Sequence, residues 1–328
     1  MEERMDLGQL GLSEEELFSF ADKDLAASEH IAAPRYSYWS NVARVFFRKK
    51  FNIVLLVLLG TVVLFSFAYP AIIGYDSAVD PYVNLLDTSA KHLRPAQAME
   101  KFGSGLKWIL GTGASGQSTF DAVWYGAGIS LSLALICAAI NMTVGVAVGA
   151  IWGFSRRIDK VMTEVYNVVA NVPYILLISV IVLILSASFW SMVFALTVTG
   201  WIGIAYFIRT QVIIIRDREY NLASRCLGTP LWRMAVKNIL PFMTSVIVTL
   251  AAAEIPSYIS YEVFLSFIGM GLEDQSLGKL IQTSQNAMLT PGWELEFWSP
   301  VAVASIITVV LYVVGQNLGD ASDPKTHI

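Results

Sequence analysis

The sequence predicts an all-α integral membrane protein with six transmembrane helices. Three observations carry that prediction. The chain is 55% hydrophobic and only 15% charged, where soluble domains carry about a quarter charged residues. It holds six apolar stretches near the length of about 20 residues that a helix needs to cross the hydrocarbon core. Its basic residues cluster on alternate sides of those stretches.

The stretches are Phe51–Ile73, Ala127–Phe154, Val161–Leu185, Trp190–Ile208, Pro241–Ile268 and Trp298–Leu318. Asn171 and Pro173 interrupt the third. The fourth contains "TVTGWIGIAYF", rich in small and polar residues, and is the least apolar. Charge then orients the chain. Arg44, Arg48, Lys49 and Lys50 precede the first span, Arg156, Arg157 and Lys160 follow the second, and Arg209, Arg216, Arg218, Arg225, Arg233 and Lys237 follow the fourth. The other side holds only Lys91, Arg94, Lys101, Lys107 and Lys279, spread over longer loops. The positive-inside rule therefore places both termini in the cytoplasm. The acidic start, "SEEELFSFADKD", lacks the basic-then-apolar order of a cleavable signal peptide.

Composition and motifs argue against an enzyme. "SLGKL" places Gly278 before Lys279 but lacks the earlier glycine and the following Ser or Thr of a phosphate-binding loop. "GTGASG" fits a dinucleotide fingerprint by letter, yet it lies in a loop with no βαβ unit around it. His30, His92 and His327 are scattered, and Cys137 and Cys226 fall in dissimilar segments, so no metal set, triad or disulfide framework is expected. No cofactor and no nucleic-acid partner is implied.

Ionisable groups inside spans are costly and mark candidate sites. Glu254, in "AAAEIPSYISYE", is the sharpest, with Pro256 loosening the helix beside it, Tyr258 following, and Glu262 two turns on, on roughly the same face. Two readings stand: a cavity wall contacting substrate or a proton site, and a glutamate bonded to a neighbouring helix or partner subunit. Asn141, Asn167, Asn171 and Gln316 read as helix–helix glue, and Gly145 with Gly149 as a close-packing pair.

The remaining signal is "NLASRCLGTPLWRMAVKNILP", Asn221–Pro241, basic and without an acid. Asn221–Leu227 reads as a short helix with Gly228 as its C-cap. Thr229 and Pro230 then start a second helix, Leu231–Ile239. Leu231, Met234, Ala235 and Asn238 share one face of it and Arg233 and Lys237 another, and Pro241 ends it at the fifth span. Periodicity alone leaves two uses open: docking of a partner, or a basic surface held by anionic lipid headgroups.

This segment resembles the cytoplasmic "EAA" loop of ABC importer permeases, with the pattern Glu-Ala-Ala-x-x-x-Gly and a later Leu-Pro. Ala223, Ser224, Gly228, Leu240 and Pro241 fall in register, while Leu222 stands for the Glu and Asn238 for a usual apolar residue. "EYNLASRCLG…NILP" is similar to the peptide-importer version, whose acid would be Glu219. "ILGTGASGQSTFDAVWYGAGISL", "EVFLSFIGMGL", "SLGKLI" and "VVGQNLGDASDPKT" resemble, in order, further segments of the C-type subunit of oligopeptide permeases, the last in its low-GC Gram-positive form. Gly113, Gln117 and Ser118 replace charged residues of the first of these.

The resemblance implies a type I importer permease in the bacterial plasma membrane. Its expected partners are a homologous second permease, two ABC ATPases, an extracellular lipid-anchored binding protein, a peptide substrate and membrane lipid. It divides the chain into a cytoplasmic tail (1–50), a first span (51–74), an extracellular loop (75–123) and a five-helix core (124–328) containing the coupling loop 209–241. Glu219, Ala223, Ser224, Arg225, Gly228, Leu240 and Pro241 are the expected ATPase-coupling residues. Glu254, Pro256, Tyr258 and Glu262 are the expected path residues. Other cargoes of the same importer type (dipeptide, nickel, glycan) stay open, as does a proton-coupled transporter built on Glu254.

Overall fold

A computed structural model describes residues 37–82 and 84–323, without the side chains of Leu231 and Trp232. The acidic start, His30, His327 and the final "PKT" lie outside the described residues. The chain divides into two units, Met1–Asn41 and Val42–Ile328, and the second holds every apolar span. Among the described residues all regular structure is helical, apart from one isolated bridge between Thr112 and Ser118.

Five helical segments are long and apolar enough to cross a bilayer, and a bent pair supplies a sixth. Helix α1 (Tyr38–Arg48) precedes α2 (Lys50–Ile73), the first span. Apart from Asn52, the buried residues of α2 are Val62, Ser66 and Pro70, four apart on one helical face, and Val54, Val57, Leu64 and Ile72 point outward. In lipid an outward apolar face costs nothing, so such a helix needs only a narrow stripe for packing.

The short helix α3 (Pro95–Phe102) lies in the loop that follows. Here the "GTGASG" letters find their use. Gly116 turns with φ of 79°, and a Cβ there would sit 2.6 Å from Cβ of Asn84. The Gly113 amide donates to the Gln117 carbonyl at 2.9 Å, so the cluster closes a turn.

Helix α4 (Thr119–Phe154) starts earlier than the apolar run predicts. Its first turns carry Asp121, Trp124 and Tyr125, which dilute hydropathy, and the Ser118 side chain caps it by accepting the Asp121 amide at 3.1 Å. At 36 residues it is about 54 Å long, well beyond a hydrocarbon core of about 30 Å.

The third stretch is two helices, α5 (Arg156–Ala170) and α6 (Tyr174–Leu185), bent by 79°. Pro173 has no amide proton and disfavours helical geometry at Val172, so the helix stops there. The fourth is likewise two pieces, α7 (Phe189–Thr197) and α8 (Gly200–Arg216), which together make one span. Its small residues are explained by burial. Gly145, Gly149 and Gly153 of α4 form a stripe against α8, where a Cβ on Gly149 would meet the Ala205 carbonyl oxygen at 2.5 Å. Gly153 extends the expected Gly145–Gly149 pair by one more turn.

Two short helices, α9 (Glu219–Cys226) and α10 (Leu231–Met234), lead into α11 (Thr244–Phe267). After α12 (Leu277–Thr283), α13 (Glu294–Ser322) closes the bundle, with Gly315 against Ala252 and Gly319 against Thr249 of α11. The loops 75–118 and 268–293 meet at one end of the bundle, the loop end. There Tyr75 donates to Gln275, and His92 stacks on Trp293 at 3.8 Å while its Nδ1 lies 2.6 Å from Glu296. The opposite end carries α9 and α10 and is called the basic end below.

Candidate functional site

The basic end is built from the last turn of α8. Arg216 donates through Nη1 to the Gly153 carbonyl at 2.7 Å, tying α8 to the end of α4. Its Nε and Nη2 reach both oxygens of Asp217 at 2.9 and 3.1 Å, and that guanidinium holds the Asp217 carboxyl below the usual carboxylate range. Asn221 is fully buried, and its Nδ2 donates to the Ile215 carbonyl at 2.8 Å. That bond folds α9 back against the helix it has just left.

The turn after α9 is a Schellman motif. The Thr229 amide donates to the Ser224 carbonyl at 3.1 Å, and the Gly228 amide to the Arg225 carbonyl at 2.9 Å. Gly228 adopts φ of 78°, the left-handed region in which a side chain is strained. The bend between the two helices is thus set by backbone bonds.

Past the turn, α10 does not continue as a plain helix to Ile239. Ala235–Ile239 is a π-turn, Leu240–Met243 is 3-10, and α11 follows directly. Pro241 therefore neither ends the segment nor separates it from the span. A proline cannot donate to the carbonyl four residues back, and its ring crowds that carbonyl. The wide and then tight turns absorb both effects while the chain stays helical. Met234 and Ile239 are buried, and Arg233 and Lys237 are exposed, as the face analysis requires. Asn238, the misfit of the motif, reaches Asn221 Oδ1 at 3.5 Å and joins the second arm to the first. Tyr220 and Phe242 add a tilted ring contact at 5.8 Å.

Glu219, Ala223, Arg225, Gly228 and Pro241 are all exposed, Ser224 is half-buried and back-bonded to the Tyr220 carbonyl, and Leu240 is half-buried. Leu222 and Leu227 are also exposed, Leu227 at 87%. The result is a rigid, basic ledge with apolar residues on its open face. Its pins, Asn221 and Arg216, carry no sequence signal beyond polarity.

The path candidates separate. Glu254 and Tyr258 line one cleft of about 560 Å³ between α5, α6, α8 and α11, whose wall includes the break at Val172 and Pro173. The Tyr258 hydroxyl accepts from Asn141 Nδ2 at 2.6 Å, so α4 holds this ring, one turn from Glu254, in place. Asn141 also donates to the Leu196 carbonyl at 3.1 Å, acting as the helix glue its position suggests. Asn167 and Asn171 instead are exposed, and the Asn171 Nδ2 donates to the Asn167 backbone carbonyl at 2.5 Å. Pro256 is buried inside an unbroken α11, next to the tight approach of Gly315 at Ala252.

Glu262 lies off the cleft. It is fully buried near the loop end, where Ser130 donates to one carboxylate oxygen at 2.9 Å, and Ser266 and Ser276 donate to the other at 3.0 and 2.5 Å. Ser130 in turn accepts from the Leu277 amide at 3.1 Å and Ser276 from the Lys279 amide at 3.0 Å. Eight residues at 100° each place Glu262 about 80° round the helix from Glu254, enough to change what it faces. Among the described residues no group of His, Cys, Asp or Glu could hold a metal ion.

A bundle of broken and unbroken spans, a cleft in its middle and a basic helical ledge at one end define a multi-span membrane permease. The chain belongs to the family of binding-protein-dependent transport system inner membrane components, whose model matches residues 145–328. It is 44% identical over 316 residues to the oligopeptide transport system permease protein AmiD of Streptococcus pneumoniae, covering 96% of this chain and 98% of that protein. It is 30% identical to the oligopeptide transport system permease protein OppC of Bacillus subtilis, over 94% of this chain and 97% of that one. The dipeptide transport system permease protein DppC of Bacillus subtilis is 34% identical over 66% of this chain and 68% of its own length. Permeases of this family sit in the plasma membrane and act with a second permease, ATPase subunits and a substrate-binding protein.

Proposed function

We propose that this chain is one permease subunit of an ATP-driven oligopeptide importer, forming half of the translocation path. The match to AmiD over nearly the full length of both chains supports the cargo class. The observation that carries the mechanism is the Schellman-locked ledge, held by Asn221 to α8 and running without a break into α11. A helix pair so fixed moves as one body. Push it, and α8 and α11, two walls of the Glu254 cleft, move with it.

In this reading the exposed face of α9 docks on an ATPase subunit. Ala223 and Ser224 allow close approach, Arg225 and Glu219 supply charge, and Gly228, Leu240 and Pro241 fix the angle and the exit into the span. The bias of basic residues puts this ledge and both termini in the cytoplasm. The loop end then faces outward, where a lipid-anchored binding protein delivers peptide. A homologous second permease completes the path as a heterodimer. ATP hydrolysis belongs to two partner ATPases.

The test is Gly228→Pro. Proline cannot adopt φ of 78° and has no amide to donate to Arg225. Insertion and assembly with the second permease should persist while ATP-dependent peptide uptake in liposomes is lost. Wild-type uptake together with normal ATPase association in that variant overturns the coupling role.

A further inference from the structure

Glu254 has an environment that points to the chemistry of what passes it. Among the described residues no Lys, Arg or His lines its cleft. Of the cations on the flanking helices, Arg209 is held on Asp159 at 2.5 Å. Two of the tyrosine hydroxyls around it are engaged within the protein. The Tyr258 hydroxyl accepts from Asn141, and Tyr174 donates to the Leu196 carbonyl at 2.6 Å. The walls offer mainly aromatic surface: Tyr166, Tyr174, Phe207, Tyr258 and Tyr261 all line the cleft. Tyr261 packs edge-on to Tyr174 at 5.3 Å and to Tyr258 at 6.2 Å, which fixes the ring orientations.

A carboxylate without a cation, enclosed by aromatic rings, is the arrangement that recognises an organic ammonium. The acid supplies the charge, the ring faces supply cation–π attraction, and neither demands a particular side chain next to the charge. The 79° break between α5 and α6 forms part of the cleft wall. We infer that Glu254 and its tyrosine wall form a transit site for the cationic group of the cargo, either the α-ammonium of a peptide or a lysine side chain. This rests on the oligopeptide reading above and adds to it a specificity element within the membrane path. The site is needed only in passing, so it sorts cargo by rate.

The experiment uses the complete importer in liposomes with its binding protein. Three peptides are chosen that the binding protein holds with equal affinity, checked by calorimetry: one with a free N-terminus, its N-acetyl counterpart, and an N-acetyl peptide containing one lysine. The wild type should take up the free peptide about tenfold faster than its acetyl counterpart. In Glu254→Gln that ratio should fall towards one, and in Glu254→Asp, which keeps the charge, most of it should survive. Rapid uptake of the lysine peptide would show that any ammonium serves; slow uptake would assign the site to the α-ammonium. Equal wild-type rates for the free and acetyl peptides overturn the inference whether or not the variants assemble, as does a ratio unchanged in Glu254→Gln. Failure of the wild type to take up any of the three would instead overturn the oligopeptide reading.

Discussion

The two ends of this bundle are built on opposite plans. At the loop end, bonds converge. Glu262 gathers three serines from α4, α11 and the turn before α12, and His92, Trp293 and Glu296 join the first loop to the last helix. At the basic end a few directed bonds suffice: Arg216 to Gly153, Asn221 to Ile215, Asn238 to Asn221. One end is knotted through several elements at once. The other is a stiff ledge on a narrow footing, with its outer face open. A machine that converts a push at one end into an opening in the middle needs this asymmetry, because motion must have somewhere to start and something to work against.

The largest test of the comparison is to untie the knot. Glu262→Ala removes a buried acceptor of three hydroxyl bonds and leaves those donors without a partner. Leaving a buried polar group unsatisfied typically costs about 1–3 kcal/mol, and here three hydroxyls lose their acceptor at once. The protein should lose most of its yield in detergent and melt far earlier, a loss that thermal unfolding followed by size-exclusion would register. Glu262→Gln keeps the shape and most of the bonding and should recover much of the loss. An Ala variant as stable as the wild type would mean that the loop end is not the fixed one.

Next comes the seam along which the ends are joined. Gly149→Val places a side chain where the Ala205 carbonyl oxygen stands 2.5 Å from the first carbon. Overpacking of a tight core costs roughly 1–3 kcal/mol, and here the neighbour is backbone, which cannot rotate away. Stability should fall towards the upper end of that range, and cysteine crosslinking between α4 and α8 should change its pattern. Gly203 has open space around it, so Gly203→Ala should be neutral and serves as the control.

At the basic end, Asn221→Ala should do little to global stability and much to coupling. It removes the buried bond to the Ile215 carbonyl, worth about 1 kcal/mol net, and the longer one from Asn238, and frees α9 from α8. Purified complexes should still hydrolyse ATP while uptake per ATP drops severalfold. A variant that keeps both in the wild-type proportion would show that the ledge needs no pin.

How much of this was legible in the sequence follows the range of the interactions. Apolar runs and basic clusters are local, so six candidate spans could be read directly, and Gly228 and Pro230 placed the bend because caps depend on neighbouring residues. Asn171 and Pro173 marked the break in the third span, but no local rule supplies a bend of 79°. The start of α4 was missed by eight residues because Asp121, Trp124 and Tyr125, in its first turns, lower the hydropathy there. Glu254 and Glu262 looked alike on helical spacing. They differ only through residues far away in the chain, Ser130 for one, 132 positions distant. Asn238, out of pattern as a letter, makes sense only once Asn221 is beside it.

The smallest expected effect lies back at the loop end, on its surface. Lys101 donates to Asp87 Oδ2 at 2.7 Å, and Ser89 donates to the other carboxylate oxygen through both its amide and its hydroxyl. The Lys101 ammonium, with Ser89, lowers the Asp87 carboxyl to about 2. A carboxyl lowered on folding contributes stability above its unfolded value of about 3.9 and loses it as pH falls through the folded value. The clasp between Asp87 and α3 should therefore be intact at pH 5 and open near pH 2. The pair is exposed, so salt should weaken it. Asp87→Asn should mimic the acid-opened state at neutral pH, speeding amide exchange over residues 87–102 and leaving the melting of the spans where it was. Slow exchange in that variant would mean that the loop is held by its buried bonds alone, Thr112 to the Ala90 carbonyl among them, and that the loop end is knotted more tightly than its surface shows.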